Sequence, residues 1–93
     1  MVIPETVTKI GTLAFAYTGL KSIILPGRLT EIGEEAFYSC RNLETVAIPE
    51  SVAKIDPDAF ARSGLKSITL PHGVNIGEGA FRNCNNLEVG YRN

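Results

Sequence analysis

The sequence predicts a solenoid of about four coils, with a parallel β-sheet on one face and short helical turns opposite. Three observations carry that prediction. The segment L-x-x-[IV]-x-[LI]-P recurs at Leu20–Pro26, Leu43–Pro49 and Leu65–Pro71. Pro4, Pro26, Pro49 and Pro71 fall 22, 23 and 22 residues apart. All four phenylalanines, Phe15, Phe37, Phe60 and Phe81, follow an alanine at one place in the period. A unit this short cannot bury its own apolar face and is stable only when stacked on neighbours.

The first element of each period is a strand. Leu20, Ile23 and Leu25 alternate with Ser22 and Ile24, the period-two pattern of a strand rich in β-branched residues. Proline closes it, having no N–H for a continuing ladder. A turn follows (Glu5-Thr6, Gly27-Arg28, Glu50-Ser51, His72-Gly73), leading to a second short apolar stretch. That stretch is Val7 and Ile10, then Leu29 and Ile32, Val52 and Ile55, and Val74 and Ile76. The last pair is one residue closer, a deletion in coil four.

A short helical turn is expected around each Ala-Phe pair, with the phenylalanines stacked as an internal spine. Asp56-Pro57-Asp58 reads as an N-cap followed by Pro at the first helical position. Glu34, Glu35 and Glu78 read as first-turn carboxylates facing the positive end of a helix dipole. Coils one and three leave the turn through Thr18-Gly19-Leu20 and Ser63-Gly64-Leu65. Coils two and four use Cys40-Arg41-Asn42-Leu43 and Cys84-Asn85-Asn86-Leu87, one residue longer. Gly and Asn both tolerate the left-handed conformation that ends a helix, so the two exits account for the alternating period. Coils one and two match coils three and four, which suggests a duplicated two-coil unit.

Cys40 and Cys84 occupy equivalent places two coils apart. At a coil spacing of about 4.8 Å they lie roughly 10 Å apart, beyond the roughly 7 Å Cα separation a disulfide spans. They are expected to be reduced and buried.

Ninety-three residues make one domain, residues 1–93, which an excerpt of a longer array would also give. Nine basic and ten acidic residues leave a net charge of −1, with no footprint for nucleic acid or an anionic membrane. No apolar run approaches the roughly 20 residues of a membrane span, so membrane insertion is not expected. Met1-Val2-Ile3-Pro4 leads straight into a repeat, without the basic start and apolar stretch of a signal peptide. That fits a cytosolic chain or a piece of a longer secreted one, and the second reading is favoured.

No catalytic constellation is visible. His72 is the only histidine and sits in a turn without neighbouring ligands, whereas a zinc site needs about four. Thr18 and Ser63 fill the cysteine position elsewhere, which marks Cys40 and Cys84 as packing residues rather than nucleophiles. Gly77-Glu78-Gly79 lacks the pattern of a phosphate loop. No enzyme activity, metal or cofactor is expected.

The pattern I-P-x-x-V-x-x-I-G-x-x-A-F-x-x-C-x-x-L, clearest from Leu29 to Leu43, resembles the BspA-like (treponemal-type) leucine-rich repeat. The resemblance covers the whole chain. Its departures are Thr18 and Ser63 for the family cysteine, Asp56 for the glycine, and Gly90 where a strand isoleucine belongs. It implies a curved leucine-rich-repeat solenoid, secreted or displayed on a cell surface, that adheres to host or cell-surface proteins. It brings no shared catalytic residues.

Function is expected on the outward strand columns. These are Ser22, Thr45, Ser67 and Val89 in one, and Ile24, Ala47, Thr69 and Tyr91 in the next. Beside them Lys21, Glu44, Lys66 and Glu88 alternate in sign, which stabilises neighbouring strands. Small hydroxyl and apolar groups also suit an ordinary solvated sheet, and the scattered Tyr17, Tyr38 and Tyr91 mark no hot spot. The expected function is a non-enzymatic protein-binding or adhesion module. The alternative is a structural unit that dimerises or stacks through coil ends without dedicated caps.

Overall fold

In the computed structural model, which describes residues 1–92, the two apolar stretches of each repeat build two separate parallel sheets. The strands are β1 (Lys9–Ile10), β2 (Glu31–Ile32), β3 (Thr45–Ala47), β4 (Lys54–Ile55), β5 (Ser67–Leu70), β6 (Asn75–Ile76) and β7 (Glu88–Tyr91). One sheet runs β1-β2-β4-β6, one strand per coil, and the other runs β3-β5-β7. A single parallel bridge, Val2 to Ile24, joins coils one and two on the β3-β5-β7 side. β7 already belongs to a fifth turn of the chain. The solenoid expected from the repeat is therefore present, with a second sheet where only an apolar stretch was expected.

Alternation sets which side chains enter the core. Ile10, Ile32 and Ile55 are buried and stack in register, while Lys9, Glu31 and Lys54 form the outward column beside them. Lys9 and Glu31 approach to 3.6 Å. In the other sheet Val46 and Ile68 are buried between outward Thr45, Ala47, Ser67 and Thr69.

The expected helical turns are absent: no helix occurs among the described residues. The Ala-Phe segment is instead a run of β-turns bonded to the next coil. Ala14, Ala36, Ala59 and Ala80 donate to Gly11, Gly33, Asp56 and Gly77 three residues back. The phenylalanine N–H groups turn along the stack, Phe15 to Ala36 O (2.8 Å), Phe37 to Ala59 O (2.7 Å) and Phe60 to Ala80 O (2.8 Å). The reason is spacing. A helix is about 10–12 Å across, so a helical wall makes the coils fan apart, whereas two sheets of paired strands hold these coils at roughly 4.8 Å. Turns bonded between coils keep that spacing on the third wall.

Those turns require positive φ twice per coil. Leu13 (60°), Glu35 (55°), Asp58 (58°) and Gly79 (68°) form one column, and Tyr17 (62°), Ser39 (55°), Arg62 (58°) and Asn83 (61°) the other. Each is the third residue of its turn, where a type II turn needs this conformation. For a side chain other than Gly the conformation costs about 1–2 kcal/mol, offset here by the inter-coil bonds. Pro57, expected at a helix start, fits for another reason. Its carbonyl accepts from Glu35 N at 3.2 Å, and the equivalent Glu34 N–H in coil two has no backbone partner to lose. Of the carboxylates assigned to helix starts, Asp56 pairs with Lys54 and Asp58 with Arg82, each at 3.4 Å, while Glu34, Glu35 and Glu78 form no ion pair among the described residues.

The phenylalanine spine forms as expected. Ring centroids are 5.4, 4.9 and 5.7 Å apart from Phe15 to Phe81, with planes within 14° of parallel. Phe37 and Phe60 are fully buried; Phe15 and Phe81 are half-buried. Both cysteines are free; Cys40 is buried, but Cys84 is only half-buried. Each thiol reaches the preceding coil's phenylalanine carbonyl, Cys40 Sγ to Phe15 O at 3.1 Å and Cys84 Sγ to Phe60 O at 3.2 Å. Thr18 and Ser63 lie against those thiols at 3.5 and 3.3 Å. Hydroxyl and thiol thus alternate up one column. Gly64 is tightly packed: a Cβ there would collide with the carbonyl oxygen of Arg41.

Two stability measurements follow. Phe60→Ala is expected to cost about 3–5 kcal/mol in urea unfolding, and Phe81→Ala less, because its ring is partly exposed at the end of the spine. Arg62→Gly is expected to raise stability by about 0.5–1 kcal/mol, because relief of the positive-φ strain exceeds the entropy gained by the unfolded chain. A loss in that variant would contradict the strain assignment.

Candidate protein-binding face

Six of the eight expected residues stand where the sequence placed them. Ser22, Ile24, Thr45, Ala47, Ser67 and Thr69 are exposed on the outward side of the strands, with Thr45 beside Ser67 and Ala47 beside Thr69. Val89 and Tyr91 are displaced by one position. Ser67 pairs with Glu88, Ile68 with Val89, Thr69 with Gly90, and Leu70 with Tyr91. Glu88 therefore joins the Thr45–Ser67 column rather than the charged one, and Gly90 continues the Ala47–Thr69 column rather than replacing a strand isoleucine. Val89 and Tyr91 take core-facing register and remain 47% and 52% exposed, since nothing among the described residues covers them. Tyr91 stacks on His72 at 5.7 Å. The signal was legible in the spacing: one residue separates Leu87 from Val89, where two separate Leu65 from Ile68.

Two residues absent from the expected set belong to this face. Val2, 68% exposed, is bridged to Ile24, 63% exposed, and extends its column by one apolar side chain. Arg92 donates Nη2 to Ile48 O at 2.7 Å and lies 3.8 Å from Glu50. No repeat pattern reaches Arg92, so nothing in the periodicity pointed to it.

The geometry of this sheet is interrupted between coils two and three. Among the described residues, no backbone hydrogen bond joins residues 20–26 to residues 43–49. Ile24 directs both its backbone groups to coil one, donating to Met1 O (2.8 Å) and accepting from Ile3 N (3.2 Å). By alternation Ile23 and Leu25 turn theirs toward coil three. Ile48 donates to Thr69 O (3.0 Å) and Glu44 O accepts from Ser67 N (3.3 Å), so Thr45 and Ala47 turn theirs toward coil two. Four residues thus aim N–H and C=O groups into a junction that no ladder closes. A groove of about 470 Å³ lies over it, lined by Ile24, Ala47, Pro49 and Arg92 among others.

The opposite wall of that junction is closed. Glu31 pairs with Lys54 and Ile32 with Ile55, and Phe37 and Phe60 stack at 4.9 Å. The cause lies in the longer exit of coil two, which places six residues between Phe37 and Leu43 counting Leu43, against five from Phe60 to Leu65. Coil four has the same long exit, but its shortened Leu87–Val89 spacing restores the register of β7. Coil two has no such compensation. Among the described residues no group of three or more His, Cys, Asp or Glu side chains gathers as a metal site would, and no helix is long and apolar enough to cross a membrane.

The repeat has counterparts in known proteins. The sequence model described as the BspA type leucine rich repeat region matches residues 1–90, in six copies. The solved structure of the T. pallidum leucine rich repeat protein is similar with a TM-score of 0.72 and 27% identity, over 95% of this chain and 56% of that one. A leucine rich cell surface protein from Faecalibacterium prausnitzii A2-165 is similar with a TM-score of 0.64 and 31% identity, over 100% of this chain and 32% of that one. The chain thus spans between about a third and about a half of the solved chains it matches. A comparison with curated protein sequences gives no match. With the repeat running through all but its last residues and the same stacked architecture, this chain belongs to the BspA type leucine-rich repeat family.

Proposed function

We propose that this chain is a non-enzymatic protein-binding module of a secreted or surface-displayed repeat protein, and that its partner lies along the β3-β5-β7 face. The observation that carries this reading is the open junction between coils two and three. Unbonded backbone groups of Ile23, Leu25, Thr45 and Ala47 lie beneath the exposed side chains of Ile24 and Ala47. The two segments face one another across this seam and Ile23 and Leu25 are buried, so a partner segment lies over the seam rather than between them and gains specificity from the adjacent side-chain pocket. The groove beside Pro49 offers that pocket. Ser51 lines the groove, and Ser22, Ser67 and Thr69 are exposed on the same outward face, hydroxyls that suit the polar rim of an interface. The F. prausnitzii relative, described as a cell surface protein, supports the surface setting.

The test uses immobilised extracellular-matrix and cell-surface proteins, with binding read by biolayer interferometry. Wild type is expected to bind at least one of them. Ala47→Arg, an exposed substitution that fills the junction, is expected to weaken that binding by at least about tenfold. Ala53→Arg, exposed on the opposite wall, is expected to leave it unchanged. Equal binding by all three chains, or none by wild type, would contradict the assignment.

A further inference from the structure

A second concave surface lies on the wall of β-turns and its exits, sharing no lining residue with the groove beside Pro49. Two adjoining grooves of about 400 and 440 Å³ open there, and both are lined by Arg41 and Arg62. Tyr17 and Tyr38 border one end, in edge-to-face contact at 5.6 Å. Asn83, Asn85 and Asn86 border the other. The surface therefore runs from coil one to coil four, three coil spacings or roughly 14 Å.

Its charge is one-sided. No Asp or Glu lines either groove. Of the other cations, Lys9, Lys54, Arg82 and Arg92 each lie within 3.8 Å of a carboxylate, as does Lys66 at the rim of the first groove, while Lys21 and Arg28 line neither groove and have no such partner among the described residues. Arg41 and Arg62 have no such partner among the described residues. A chain of net charge −1 has enough carboxylates to pair them, yet the fold collects two free guanidinium groups beside amides and phenol rings. Guanidinium binds carboxylate in a planar two-bond fork. Amides such as Asn42 can serve a peptide backbone, and tyrosine rings take the apolar part of a side chain.

We propose that this groove binds an acidic, extended segment of a protein partner, with Asp or Glu carboxylates on Arg41 and Arg62. The length favours a peptide over a single small anion: roughly 14 Å accommodates about four extended residues. The site is separate from the β3-β5-β7 face, so it holds or fails independently of the function proposed for that face.

The experiment is fluorescence anisotropy with a labelled hexa-glutamate peptide, at low and at physiological salt. Wild type is expected to bind it saturably, more weakly as salt rises. The Arg41→Ala/Arg62→Ala double variant is expected to lose at least about tenfold in affinity, with an unchanged far-ultraviolet spectrum because both side chains are exposed. Lys9→Ala/Lys54→Ala removes the same charge from the opposite wall and is expected to bind like wild type. No saturable binding would overturn the proposal, as would equal losses in the two double variants. Competition by inorganic phosphate as strong as that by unlabelled peptide would also overturn it, by showing a bare anion site.

Discussion

Every wall of this molecule must repeat at the distance set by one backbone hydrogen bond between coils, about 4.8 Å, and the rest of the structure follows from that constraint. On two walls the bond is made by parallel strands, except at the seam between coils two and three on one of them, and on the third by the N–H groups of alternate turn residues. The common spacing puts phenylalanine rings within stacking range and brings each cysteine thiol under the carbonyl of the coil before it. Held on all three walls, it leaves no room for helices to fan out, and positive-φ turn residues stand in their place. Individually these are costs; collectively they let each coil satisfy its backbone through its neighbours, as a solenoid must.

Much of this was legible in the repeat. Equivalent prolines, phenylalanines and isoleucines mark equivalent positions, so the stack, the spine and the strands of Leu43–Pro49 and Leu65–Pro71 could be read directly. Leu20–Pro26, expected to be a strand, forms only the single bridge from Ile24 to Val2. The turn wall could not. Ala-Phe pairs flanked by acidic residues and ended by Gly or Asn satisfy helical preferences locally, and the spacing of neighbouring coils overrides those preferences. Residues such as Leu13 and Arg62 carry no sign of positive φ, because they adopt it under tertiary constraint. The displaced positions of Val89 and Tyr91 are a different case. One missing residue after Leu87 shifts the register, and in a strand a one-residue shift exchanges the two faces.

The candidate sites arise where the repeat is imperfect. The extra residue in the exit of coil two breaks one ladder while the opposite wall stays paired, so the molecule remains a single stack with one open seam. The same exit supplies Arg41 and Asn42 to the cationic groove on the turn wall. A perfectly periodic chain would have neither feature. Departures from periodicity, not the framework positions that recur from coil to coil, therefore distinguish this solenoid's surface from a generic one.

Amide hydrogen exchange at the junction of coils two and three tests the central claim most directly, because its two walls sit at the same height in the stack. Leu25, Thr45 and Ala47 are expected to exchange at nearly the rate of an unstructured peptide, having no partner across the seam. Phe37 and Asp56, bonded across the closed walls at 2.7 and 2.9 Å, are expected to be protected to the level of global unfolding. Protection of Thr45 and Ala47 equal to that of Phe37 would show that the ladder is continuous and would contradict the open seam.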